Sequence, residues 1–235
     1  MKFLIILAFV LFTPLTAEAV SKRVSSPNVS KGLAMDNRGS FASDETGNDD
    51  FRHNLQFKYG ITDNFRISVD TDYRKRGGSD AEFSNSDIEF RYKFIREENV
   101  GVSYSGGYEF NHSGDADGVF TSFQGEYKLG PWKHQANIGI DADVGDEAAS
   151  GFNYDFRSGH YYKLQEIELG LEYFADFGNW KDGNRFEEQE HHLGPVVNFN
   201  IPVGEKKIKA VLGYAAGLTD ASDDHIFKYE FGYKF

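Results

Sequence analysis

The chain has 235 residues, a formal net charge of −12 and no cysteine. The acidic balance argues against a nucleic-acid partner, which wants a basic face, and the lack of thiols excludes a disulfide framework or a thiolate metal site. Its 22 Phe, 13 Tyr and 25 Gly stand against only 2 Met and 5 Pro, a bias that suits curved strands meeting an interface.

The first residues read as an export signal. Lys2 supplies a positive start, Phe3 to Phe12 is apolar, and Ala17-Glu18-Ala19 is an A-x-A cleavage pattern. The apolar run is shorter than the about 20 residues a spanning helix needs. Residues 1–19 are therefore expected to be a signal peptide, and 20–235 one domain outside the cytoplasm. Nothing after Val20 reads as a transmembrane helix.

A weak first strand is expected near 29–41, and from residue 51 the pattern is period two. Phe51, Leu55, Phe57 and Tyr59 alternate with Arg52, Asn54, Gln56 and Lys58. Phe65, Ile67, Val69 and Tyr73 then alternate with Arg66, Ser68, Asp70, Asp72 and Arg74, and Ile88, Phe90, Tyr92 and Phe94 with Asp87, Glu89, Arg91 and Lys93. A helix repeats its apolar positions at three and four, so these are strands. Further strands are expected at 99–111, 118–129, 131–144, 151–158, 165–177, 188–203, 206–218 and 224–235. Pro195 falls mid-strand after Gly194, where a bulge or bend is expected because proline removes a ladder hydrogen bond.

The connections alternate in length. Short turns are expected at Ile61–Asn64, Arg96–Asn99, Gly130-Pro131 and Gly204–Lys206, with one more somewhere in His160–Gln165. Longer polar loops are expected around 42–50, 75–86, 112–117, 145–150, 178–187 and 219–223. Short periplasmic turns alternating with long external loops is the rule of outer-membrane barrels.

The last strand, Phe227-Lys228-Tyr229-Glu230-Phe231-Gly232-Tyr233-Lys234-Phe235, places an aromatic at every second position to the end. It resembles the C-terminal signature of bacterial outer-membrane β-barrels, whose terminal aromatic is read by the barrel-assembly machinery. The expected fold is thus all-β: a closed antiparallel transmembrane barrel of about twelve strands. Closure matters because every backbone N–H and C=O in hydrocarbon must be paired. Tyr59, Phe65, Tyr127 and Trp132 are expected in the periplasmic aromatic girdle, and Tyr73, Phe110, Phe152 and Phe177 in the external one.

The inward faces are ionic. Arg52, Lys58, Arg66, Asp70, Arg74, Glu89, Arg91 and Lys93 are candidate pore-lining residues of the early strands, and Asp141, Asp155, Arg157, Glu168, Glu172, Lys209 and Lys228 of the later ones. Strand nine is expected to carry Glu166, Glu168, Glu172 and Asp176 on one face. Strands seven to ten are net acidic inside and strands eleven through two net basic, so opposed walls would set a field across the lumen. Buried ions are costly unless paired or wet, so either water or salt bridges must fill the barrel. The external loops are acidic, with Asp44, Glu45, Asp80, Glu82, Asp146, Glu147, Asp220 and Asp223 among them, and should concentrate cations or bind lipopolysaccharide through divalent ions. Asp115-x-Asp117-Gly118 is only a fragment of a calcium loop, lacking the distal Glu.

In size, strand count and terminal strand the chain resembles the small twelve-stranded porins, including those that pass acidic oligosaccharides (oligogalacturonate-type). Tyr59–Phe65 resembles a turn of uncharacterised barrels linked to uptake of aromatic compounds. These resemblances imply a passive channel for small polar or charged solutes. The acidic strand nine argues against an anionic oligosaccharide, and the polar interior against a hydrophobic solute. The alternative is a closed, salt-bridge-plugged barrel with a structural or adhesive role carried by its acidic loops. Barrel enzymes such as phospholipases need a His–Ser pair; His134, His160 and His191-His192 have no identifiable nucleophile beside them, so no enzyme, cofactor or metal is expected. The expected partners are outer-membrane lipid and lipopolysaccharide, small polar solutes, and the assembly machinery acting on the strand that ends at Phe235.

Overall fold

The computed structural model describes residues 23–43, 49–77, 79–146 and 148–235; the signal-peptide expectation lies outside them, as do Asp44, Glu45 and Glu147. Twelve strands follow in order: β1 Gly32–Ser43, β2 Asp49–Gly60, β3 Phe65–Arg76, β4 Glu82–Arg96, β5 Val100–Asn111, β6 Asp117–Leu129, β7 Trp132–Val144, β8 Asn153–Leu164, β9 Ile167–Asn179, β10 Glu190–Val203, β11 Lys206–Gly217 and β12 His225–Lys234. Each pairs antiparallel with its sequence neighbours, and β1 pairs with β12 to close the ring. At the seam the Phe235 N–H donates to the Leu33 carbonyl at 3.0 Å.

The alternation decides the faces. On β2, Asn54 and Gln56 are 1% and 3% exposed, whereas Phe57 and Tyr59 are 47% and 58% exposed. The exposed side chains form an outward apolar band, and its edges carry the aromatics. Trp132 packs against Tyr162 near the short turns, with ring centroids 4.9 Å apart. Tyr154 stacks on Phe177 near the long loops, at 4.9 Å. Aromatic belts at both interfaces are what a lipid-embedded barrel presents.

The structure moves several sequence-based boundaries. β1 begins at Gly32, later than residue 29, because the preceding residues run inside the barrel. β8 extends to Leu164, so the turn consists of Gln165, whose φ is +56°, and Glu166. Glu166 therefore leaves the inward set of strand nine and is a rim residue, with its side chain 84% exposed.

The bulge expected at Pro195 is absent. Leu193 still faces Ala216 and Val196 still faces Gly213, so register is conserved while Gly194 and Pro195 drop out of the ladder with β11. Pairing with β9 continues unbroken through Gly194 and Pro195. Proline removes one donor without adding a residue, which interrupts a ladder without shifting it. Register shifts occur elsewhere, at Asp72/Tyr73, Lys93/Ile95 and Asn153/Asp155.

Candidate functional site

The barrel interior is the site, and its wall is largely neutralised by its own charges. On the β1–β4 side Lys58 pairs with Asp36, and Glu89 takes both Arg66 at 3.0 Å and Arg91 at 3.4 Å. Asp70 accepts from Gln56 at 2.7 Å, and Arg38 stands 4.0 Å away. Arg74 is half-buried at the long-loop end of β3. On the opposite side Arg157 lies 2.7 Å from Asp155, Asp141 accepts from the Asn153 amide at 2.9 Å, and Lys133 pairs with Glu168.

The sign segregation read from the sequence holds only in outline. Lys228 on β12 reaches Glu172 on β9, tying the basic wall to the acidic one, and the Tyr161 hydroxyl donates to the same carboxylate at 2.7 Å. Lys209 pairs with Glu230 at 3.2 Å. Asp36 and Glu230 are acids that sequence reasoning left out of the interior. A period-two reading of β12 finds Glu230 between Tyr229 and Phe231, whereas Asp36 lies between Met35 and the polar Asn37 and carries less signal.

The larger omission is the segment before β1. Residues 23–28 cross the lumen as a strap. The Arg23 guanidinium bridges Asp36 and Glu230, each at 3.3 Å. The Ser25 N–H donates to the Asn137 side-chain oxygen at 2.6 Å, and the Asn137 amide donates back to the Ser25 carbonyl at 2.8 Å. That reciprocal pair imitates a strand contact, with a β7 side chain in place of backbone. Arg91 donates to the Ser26 carbonyl at 2.8 Å, and Lys93 to the Asn28 side chain at 2.6 Å. Glu126 receives Ser26 at 3.3 Å and Asn28 at 3.5 Å.

β1 and β7 are diametrically opposed in a ring of twelve, so a strap held by Asp36 at one end and Asn137 at the other spans the bore. The available signal was weak. Arg23–Asn28 lacks alternation and contains Pro27, which marks it as non-strand without saying where it goes.

The strap divides the lumen. A cavity of about 380 Å³ lies toward the long loops, lined by Arg38, Arg52, Asp87, Glu109, Asp141, Asp143 and Arg157 among others. A second, of about 360 Å³, lies toward the short turns, lined by Glu126, Lys133, Tyr161, Glu168, Glu172, Lys209 and Lys228 among others. Arg23 and Arg38 line both. Of the fifteen candidate residues, twelve border one of the two cavities, whereas Lys58, Arg74 and Lys93 are not among their linings.

The other sequence features resolve into structure. His134 and His160 are cross-strand neighbours on the outward face, with their Nδ1 atoms 2.8 Å apart. His191 takes the Tyr173 hydroxyl at 2.7 Å and stacks on Phe186 with centroids 4.3 Å apart. Ser222 bonds the His191 backbone, receiving its N–H at 2.8 Å, and so is no partner for the imidazole. Asp117 accepts the Asn111 N–H at 2.9 Å and the Tyr108 hydroxyl at 2.7 Å, while Asp115 accepts from Ser113 at 3.1 Å. The calcium-loop fragment is consumed in closing its own hairpin.

No family model matches the chain, and no curated protein matches it in sequence. Solved structures do. "KdgM porin in complex with disordered oligogalacturonate" superposes with a TM-score of 0.60 at 10% identity, covering 86% of this chain and 99% of that one. A NanC porin structure gives 0.58 at 11% identity, with coverage of 86% and 98%. The β domain of the Bordetella autotransporter BrkA gives 0.54 at 12% identity, with coverage of 87% and 99%. At such identities the likeness establishes fold alone, and that fold serves porins and an autotransporter domain alike. The chain has the closed, twelve-stranded antiparallel fold of bacterial outer-membrane β-barrels, as its alternation and terminal strand anticipated.

Proposed function

We propose that the chain is a passive outer-membrane channel of narrow bore, admitting small polar or charged solutes, with the Arg23–Asn28 strap setting its waist. One observation carries this reading: two cavities of about 380 and 360 Å³, both lined by charged side chains, lie on either side of the strap and share Arg23 and Arg38 in their walls. A barrel built only to be filled would have apolar or interlocked side chains in that space. Here charged side chains surround room for water, which keeps their hydration cost low.

On this reading residues 1–19 are removed on export, the outward band faces lipid and lipopolysaccharide, and the assembly machinery engages the strand ending at Phe235. The acidic loops (Asp80, Asp220 and Asp223 among the described residues) would favour cations at low salt and lose that preference as screening shortens.

The test is single-channel current from the refolded mature chain in a planar bilayer, with reversal potential under a salt gradient. Steady small conductance with a cation preference at low salt is expected. A folded barrel that stays silent would overturn the channel reading. It would favour the closed barrel instead, for which the strap and the Lys228–Glu172 tie across the lumen are the supporting observations.

A further inference from the structure

We propose that the outer cavity binds small zwitterions, solutes with one carboxylate and one ammonium a few bonds apart, between Arg38 and Arg52 on one wall and Asp141 and Asp143 on the other. The inference rests on the outer cavity being open to the external medium, as in the channel reading, but it does not need the strap to move. In the ring, β1 and β2 stand across the bore from β7 and β8, so these two pairs face each other through one space.

What distinguishes this cavity is bonding capacity left over on charged side chains. Among the described residues the Nε atoms of Arg38 and Arg52 have no hydrogen-bond partner, and Arg38 reaches Asp70 at 4.0 Å. Arg52 lies directly across the ladder from Arg74, so the two basic side chains share one face of the wall. On the far wall Asp141 is held by an uncharged amide, and Asp143 accepts the Ala149 N–H at 3.3 Å. Neither aspartate has an ion-pair partner among the described residues, whereas Arg157 on that wall is matched by Asp155 at 2.7 Å. The inner cavity differs: Lys133, Lys209 and Lys228 are matched there by Glu168, Glu230 and Glu172.

Guanidiniums with spare donors, facing aspartates that no cation bridges, attract a solute that can answer both at once. A simple anion meets the guanidiniums but is repelled by the aspartates, and a simple cation meets the reverse. A volume of about 380 Å³ falls at the small end of ligand pockets, roughly 300–1,000 Å³. A zwitterion also carries no net charge for the acidic mouth to repel.

The experiment is titration calorimetry on the full mature chain refolded in detergent, comparing 4-aminobutyrate with butyrate and with butylammonium. The expected result is that 4-aminobutyrate binds at least about tenfold more tightly than either, the gain of one further charged contact. Arg52→Gln and Asp141→Asn should each bring it down to the single-charge level, with Asp143→Asn as a second acidic-wall variant and unchanged heat-modified gel mobility as the folding control. Equal binding of butyrate, full affinity in both variants, or no binding at all would overturn the proposal. Bilayer recordings separate it from the channel reading. Selective binding by a silent barrel sinks the channel and leaves the site, whereas conduction without selective binding does the opposite.

Discussion

Replacing Asn137 by alanine should free the strap from β7 while leaving the barrel intact. Asn137 is an inward, buried side chain of β7, and its two bonds to the Ser25 backbone, at 2.6 and 2.8 Å, are the strap's attachment to the acidic wall. The substitution touches no backbone ladder bond, so strand pairing is unaffected. Each hydrogen bond contributes about 0.5–1.5 kcal/mol net, and together they hold the strap by about 1–3 kcal/mol. A shift of that size changes a two-state population about 5–150-fold. Lumen water rehydrates the freed Ser25 groups, which places the effect in the lower part of that range, near tenfold.

The assay is the fraction of time a single channel spends in a high-conductance state, read from long bilayer recordings of the wild type and Asn137→Ala. A chemical readout runs beside it. The chain has no cysteine, so Ser26→Cys introduces a unique thiol in the strap, and its rate of modification by a charged thiol reagent should rise by a similar factor in the Asn137→Ala background. Unchanged conductance statistics together with an unchanged labelling rate would refute the view that Asn137 fastens the strap.

Three further outcomes are expected. Glu172→Gln should destabilise the barrel by about 3 kcal/mol, the lower end for breaking a buried pair, because Glu172 and the Lys228 it meets are 5% and 10% exposed as side chains; Glu168→Gln, at a pair 29% and 20% exposed, should cost about 1 kcal/mol or less. Urea unfolding of the two variants in the same lipid measures the difference, and equal costs would contradict the contrast in burial. Gly194→Ala should destabilise by about 1–3 kcal/mol, since the added Cβ would stand 1.9 Å from the Tyr214 carbonyl oxygen; an unshifted unfolding midpoint would count against that backbone approach. Deleting Phe235 removes the N–H that meets Leu33 at the seam and should slow assembly into membranes, measured as the rate at which the compact band appears on unheated gels.

The barrel was legible in the sequence because its cause is local. Side chains on a strand alternate by geometry, and lipid outside with water inside sorts them by polarity, so Phe57, Val69 and Ile88 declare the outer face while Gln56, Asp70 and Glu89 declare the inner one. Turn lengths and the aromatic last strand are equally local, and they led to the strand count and the direction of the hairpins. What one strand's pattern does not contain is which inward charges meet. Lys228 and Glu172 are 56 residues apart, and only closure and the stagger of the ring bring them together, turning two walls of opposite sign into one tied wall.

The strap lay further out of reach. Its residues have no period, because they pack against the wall through backbone groups and single polar side chains rather than through a repeated face. Gln165 escaped for a similar reason: a left-handed turn needs one residue at positive φ, and nothing in Leu164-Gln165-Glu166 advertises it. Sequence alone determined the class of fold, its polarity pattern and its lipid-facing band, since these follow from solvent and from the two-residue period. The tertiary structure decided which inward charges meet and where the strap runs, because that depends on distances across a closed ring that no local pattern encodes.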